Sequence, residues 1–173
     1  QSLLPLTTNK DHVSVILHNG KPGPENRVSL NYIRTALAVQ QRHNILSDFD
    51  MLQFISAAVA FPNTYSVLVS SGGVPMLVGG MRRNQQDADL LQVSGEVLEQ
   101  LAAIEDNVAV MMSSNLVPEL VAMHANHSGH QAVLCKATSL LLQLLAFSRK
   151  PLRQIVEQGG LTAVLRSLRD KPE

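Results

Sequence analysis

The sequence predicts an all-α chain built from stacked helical units, on three observations. One phrase, a pair of turn-forming residues followed by an apolar run, occurs three times: SSGGVPMLVGGM (70–81), SSNLVPELVAMH (113–124) and EQGGLTAVLRSL (157–168). The stretches 55–75, 98–118 and 142–162 align without a gap at offsets of 43 and 44 residues, a length typical of helical repeats. Aromatic residues make up only 3% and Trp is absent, which leaves Leu, Val, Ala, Ile and Met to form the core. That palette suits packed helices rather than a β-sandwich.

Each element follows in chain order. The segment 3–21 is a fourth, fainter copy: Leu3, Leu6, Val13 and Ile16 match Leu142, Leu145, Leu152 and Ile155, and Gly20 matches Gly159. The loop signal KPGPEN (21–26) comes next, so the first unit is expanded or divergent. Three helical pieces are expected per regular unit. A long one, such as 130–147, returns apolar residues at three- and four-residue spacing. A short one, 151–158, carries Pro151 in its first turn, where a missing N–H costs nothing. Gly159-Gly160 ends it, because a left-handed residue past a helix end is easiest for glycine. The last piece, 161–170, is expected to turn Leu161, Val164, Leu165 and Leu168 inward. Pro75 and Pro118 stand in the first turn of the matching helices. The recurring phrase is therefore a corner between two helices. The gapless alignment puts Ile55, Leu98 and Leu142 in one column, and Tyr65, Val108 and Leu152 in another. It also groups Leu68, Met111 and Ile155, then Val74, Val117 and Leu161.

These residues resemble armadillo repeats over about 50–170. The family unit has a short first helix, a Gly-rich corner and a second helix opening with Ile/Val-Pro. Its long third helix ends in a Leu-x-x-Leu-Ala phrase, here LEQLA (98–102) and LQLLA (142–146). HEAT repeats are the nearest alternative, and the double-glycine corner favours the three-helix form. The resemblance implies an armadillo-like right-handed α-solenoid of about four units within one domain, 1–173. Residues 1–20 would form a partial unit, 21–74 a divergent one, 75–117 and 118–161 regular ones, and 162–173 the start of a further or capping unit. The Gln1 start and the RDKPE ending suggest a fragment of a larger chain.

The resemblance also implies a function: a non-catalytic scaffold or adaptor that takes a protein or an extended peptide on a concave surface lined by third helices. The alternatives are a regulatory domain of a larger enzyme or signalling protein, and a metal or small-molecule sensor. Peptide-clamping members of the family carry a Trp and an Asn on each third helix. The matching Trp positions are Gln53, Glu96 and Leu140, and the Asn positions Ala57, Gln100 and Leu144. Only Gln100 could imitate the amide, so that clamp is not expected. Gln92, Glu96, Glu99 and Gln100 on one long helix, with Lys136, Ser139 and Gln143 on the next, either form the partner-binding surface or solvate an outer face.

Lys+Arg and Asp+Glu balance at 14 each, so no net field draws the molecule to nucleic acid. Basic residues gather late, at Arg149, Lys150, Arg153, Arg166, Arg169 and Lys171, as suits a solvated end and a helix C-terminus; an acidic partner or nucleic acid is the alternative, with no aromatic interleaving to strengthen it. His124, His127 and His130 have the residue type of metal ligands, yet no carboxylate or cysteine nearby completes a shell. Loop histidines without metal are expected, with no cofactor. GGVPMLVGG (72–80) has no Gly-Lys-Ser/Thr to follow it, and the carboxylates of EDN (105–107) point apart. Cys135 is expected to be a small buried hydrophobe, and one cysteine excludes an intramolecular disulfide framework. An intracellular, cytoplasmic setting fits that usage, and NHS (126–128) would accept a glycan only on the secretory route. The longest apolar stretch, LLLQLLAF (140–147), is too short to span a bilayer.

Overall fold

The computed structural model describes residues 25–147 and 149–169. The faint copy at 3–21 lies outside them, as do Lys171 and the side chains of Arg149, Lys150, Val164 and Leu168. The described residues are all-helical, with no strand among them. In order they form α1 (Glu25–His43), α2 (Asp48–Val59), a 3-10 turn (Pro62–Thr64), α3 (Tyr65–Ser70), α4 (Gly73–Arg83) and α5 (Ala88–Leu101). Then come α6 (Glu105–Ser113), α7 (Leu116–Asn126), α8 (Gln131–Phe147), α9 (Arg149–Glu157) and α10 (Gly160–Arg169). Glu25 and Asn26, read from sequence as the end of a loop, are instead the first residues of α1.

Local chemistry sets the helix starts. Ser47 caps α2, its Oγ accepting from the amide of Asp50 at 3.1 Å. Asp87 caps α5, its carboxylate accepting from the amide of Leu90 at 3.0 Å. Each such cap is worth about 1 kcal/mol. The loop from α1 to α2 is held by the buried side chain of Gln40, which donates to Leu46 O and accepts from Leu46 N at 2.8 Å.

Two buried clips join long helices to the short ones after them. Thr64 Oγ1 donates to Ala58 O at 2.7 Å, and Asn107 Nδ2 donates to Leu101 O at 2.8 Å. Both bridge six residues and lie 43 apart in sequence. Different side chains perform the same task.

The corners match more closely still. Gly72, Asn115 and Gly159 take φ of +83°, +58° and +82°, at offsets of 43 and 44 residues. Each immediately precedes a helix: α4, α7 and α10. Left-handed backbone costs an ordinary L-residue about 1–2 kcal/mol, and Asn tolerates it better than most.

Helices at matching positions pack on one another. The long helices α2, α5 and α8 lie in succession, α5 touching both neighbours. The helices after the corners do the same, α4 on α7 and α7 on α10, and α3 packs on α6. One continuous cluster of buried Leu, Val, Ile, Met and Ala runs through these contacts, from Ile33 to Ala163. Leu68, Met111 and Ile155, one predicted column, are each fully buried.

The long helices reveal a register that the gapless alignment misses. Leu141, not Leu142, is the counterpart of Ile55 and Leu98: all three are 0% exposed, whereas Leu142 is 50% exposed. Ala58, Leu101 and Leu144 repeat the agreement. Long helices are thus offset by 43 throughout, while the last corner is offset by 44. The extra residue is taken up after Leu144, where α8 continues to Phe147 although its counterpart α5 ends at Leu101. Leu161 and Leu165 also depart from expectation, being 43% and 57% exposed.

Replacing Gly72 or Gly159 by Ala is expected to lower stability by about 1–2 kcal/mol. Asn115→Gly is expected to change it by less than about 0.5 kcal/mol. Urea denaturation of the three variants measures the difference.

Candidate functional site

With offsets of 43, the long helices bring equivalent residues side by side. Phe49, Gln92 and Cys135 form one row; Gln53, Glu96 and Ser139 the next; Ala57, Gln100 and Gln143 a third. None of these nine is buried. The buried rows lie one residue away, as helix periodicity requires. Five of the seven residues singled out from sequence, Gln92, Glu96, Gln100, Ser139 and Gln143, therefore share one repeating stripe. Leu140 and Leu144, taken from sequence as clamp positions, are 0% exposed core residues. The residues in register are Ser139 and Gln143.

Glu99 and Lys136 play a different part. Lys136 Nζ donates to Glu99 Oε2 at 2.9 Å, linking α8 to α5, and Gln143 Nε2 donates to Glu99 O at 3.4 Å. The hydrogen bond to Glu99 raises the Lys136 pKa above its ordinary value against the opposing effect of desolvation, with Glu96 adding attraction. Along α5, Gln92 Nε2 donates to Glu96 Oε1 at 3.2 Å. The Tyr65 hydroxyl stands 3.5 Å from Gln100 Oε1. Gly95 lets α5 and α8 close here: a Cβ on it would lie 3.0 Å from Lys136 Cβ. The α5 and α8 parts of the stripe are thus fixed to each other, and they carry a carboxylate, amides and a hydroxyl beside exposed Cys135.

A second set of contacts holds the far ends of the helices. Arg82 Nε meets Glu119 Oε1 at 2.7 Å, and Gln85 Nε2 reaches Glu119 Oε2 at 3.3 Å, so the buried carboxylate is satisfied by two side chains. Arg83 forms a hydrogen-bonded ion pair with Asp48, joined by Asn84 Nδ2 at 2.8 Å. The bond from Arg83 lowers the Asp48 pKa below the usual carboxylate value.

The histidines do not converge. His127 is buried, and its Nε2 donates to Gln85 O at 2.7 Å. Its ring meets that of exposed His130 edge-on, with centroids 5.6 Å apart. His124 is half-buried beside Thr138, Nε2 to Oγ1 3.2 Å. No group of three potential metal ligands forms among the described residues. His127 is thus a structural donor rather than a loose loop residue. Sequence spacing could not show that, since its acceptor lies 42 residues earlier.

Cys135 corrects another expectation. It is exposed, because it shares the outward row of Phe49 and Gln92. Its Sγ accepts from Gln131 Nε2 at 3.4 Å. An open groove of about 550 Å³ between α1 and the first corner, lined by Arg34, Gln41, Ser71 and Val110 among others, had no sequence signal. Gln41 already donates across it to Ser71 O at 3.1 Å.

Among the described residues, no single helix is long and apolar enough to cross a membrane. The chain matches no protein-family model, no curated protein and no solved structure.

Two measurements follow. Cys135 is expected to react with a thiol reagent at about one equivalent in the folded protein, without denaturant. Burial lowers the His124 pKa below its ordinary 6.5, so the unfolded chain binds the proton first. Stability therefore falls as pH drops through 6.5 towards the folded-state value, below which the loss is complete. His124→Gln is expected to flatten that slope between about pH 7 and pH 5 relative to the parent chain, as followed by denaturation midpoints.

Proposed function

We propose that this chain is an armadillo-like α-solenoid acting as a non-catalytic protein-binding scaffold, with the polar stripe on α2, α5 and α8 as its contact surface. One observation carries the reading. Residues 43 apart on three successive long helices occupy matching positions, and the left-handed corner residues repeat at nearly the same period. A periodic rigid support presenting periodic side chains suits a ligand that is itself extended, because each row can meet a successive segment of it.

The chemistry of the rows narrows the ligand. Gln53, Gln100 and Gln143 each carry an amide able to donate to and accept from a peptide backbone. Exposed Phe49 offers apolar contact at one end. Glu96, with its partner Gln92, favours basic or hydroxyl-bearing side chains over acidic ones. Trp is absent from the whole chain, so the contact proposed is an amide-and-carboxylate surface, not a tryptophan-walled clamp.

The reading is tested by placing a photo-crosslinking residue at Gln100, at Ser139 and, as a reference, at exposed Asp106 on α6. Crosslinks to one partner from Gln100 and Ser139, but not from Asp106, support it. Equal capture from all three sites, or capture from Asp106 alone, overturns it.

A further inference from the structure

We propose that the groove between α1 and the first corner is a second binding site, which takes an acidic side chain flanked by apolar ones in an extended partner peptide. The site is separate from the polar stripe, since none of its lining residues stands on α2, α5 or α8. α1 supplies Arg34, Ala38 and Gln41, the end of α3 and the corner supply Val69 and Ser71, and α6 adds Val110. Its volume of about 550 Å³ is that of a ligand site, and its open side suits a passing segment of chain.

Arg34 is the single ionisable side chain among the lining residues. It is exposed and forms no hydrogen bond or ion pair with the described residues. Asp106, one turn before Val110 on α6, does not line the groove and is not bonded to Arg34. Comparison with α4 shows how unusual this cation is. At an offset of 44, Ile33 and Leu37 correspond to Leu77 and Met81, all 3% exposed or less. Arg34 then stands where α4 carries Val78, 2% exposed, and Ala38 where α4 carries Arg82. α4 packs on both α6 and α7, and Arg82 meets Glu119 on α7. α4 therefore uses its apolar side chain and its cation inside the stack. α1 instead sets a guanidinium at the apolar position, beside a short Ala38, and leaves both to the groove.

The lining selects the ligand. A guanidinium can give a carboxylate two parallel N–H bonds, whereas a cationic side chain would be repelled. The Ser71 hydroxyl has no partner among the described residues and is a second donor. Gln41 Nε2 is already engaged with Ser71 O at 3.1 Å, and a Cβ on Gly72 would collide with it, so this edge of the groove is fixed. Ala38, Val69 and Val110 offer apolar area that a bare carboxylate would leave untouched. An acidic residue with aliphatic or aromatic neighbours uses both kinds of surface.

The test titrates the isotopically labelled 173-residue chain with a pool of N-acetylated, C-amidated pentapeptides. Each has glutamate at its centre and Leu, Ile, Val or Phe on both sides, and a reference pool has glutamine at the centre instead. The glutamate pool is expected to shift the backbone amide resonances of 34–41 and 69–72 saturably. Its apparent affinity should exceed that of the glutamine pool about tenfold or more. Arg34→Gln should erase that preference, and Arg34→Lys should keep part of it, because the charge survives without the fork. Ala38→Trp, which fills the groove and leaves its charge alone, should weaken binding of the glutamate pool. Arg34 and Ala38 are exposed, so all three variants should keep the helical circular dichroism of the parent. Shifts absent from 34–41 and 69–72, an equal response to the two pools, or an undiminished preference in Arg34→Gln overturns the proposal. So does acetate that gives the same shifts at equal concentration, since a carboxylate then binds without its neighbours. Crosslinking from Gln100 and Ser139 involves other helices, so its outcome is read separately.

Discussion

At Gly72, Asn115 and Gly159 the backbone enters a region that most side chains avoid, and the arrangement of the other elements depends on that turn. A helix that stops on a left-handed residue releases the next one at a steep angle, since the sign of φ reverses for a single step. With the turn fixed, a short helix and the helix after it cannot lie parallel, and their apolar sides are covered by the helices that pack against them. α4 meets α7 and α7 meets α10 because the corners before them are the same. A corner of different geometry would misplace one helix and uncover two interfaces.

Burial then distributes stability along the chain. Leu68, Met111 and Ile155 are each sealed at 0% exposure, and a fully buried side chain of that size contributes about 1.5–3 kcal/mol. Several polar groups enter the interior with partners. Thr64 and Asn107 close a carbonyl at the end of a long helix, and Glu119 keeps Arg82 and Gln85. Leaving such a group unmatched costs about 1–3 kcal/mol, comparable with losing a leucine contact. The polar clips are therefore as restrictive as the apolar ones, and they fix the register that apolar packing alone leaves loose.

Much of this was legible in the sequence, for reasons that can be named. The corners were visible because left-handed backbone restricts residue choice to Gly and Asn, and a restricted choice leaves a mark. The apolar columns at Leu68, Met111 and Ile155 were visible because helical spacing is regular. The extra residue after Leu144 was not: a gapless alignment can anchor on the corner or on the long helix, and Leu141 and Leu142 are identical letters. Anchoring on the corner pushed Leu140 and Leu144 into the clamp positions that belong to Ser139 and Gln143. Cys135 was misread for another reason: an apolar neighbourhood in sequence says little about one row of a helix. The roles of His127 and Glu119 depend on partners 42 and 37 residues away, and no local pattern carries such information.

The exposed rows and the exposed end obey different physics. Gln53, Gln100 and Gln143 stay polar although they sit one residue from a core position, as a permanently solvated surface requires. Leu152, Val156, Leu161 and Leu165 are apolar while facing water. If the whole end were simply solvated, the cheapest side chains there would be those of the stripe. The contrast within one chain separates half-exposed polar rows from an end composed like the interior. On the proposed reading, the polar rows meet a ligand along the length of the long helices, and that role leaves the apolar end unengaged.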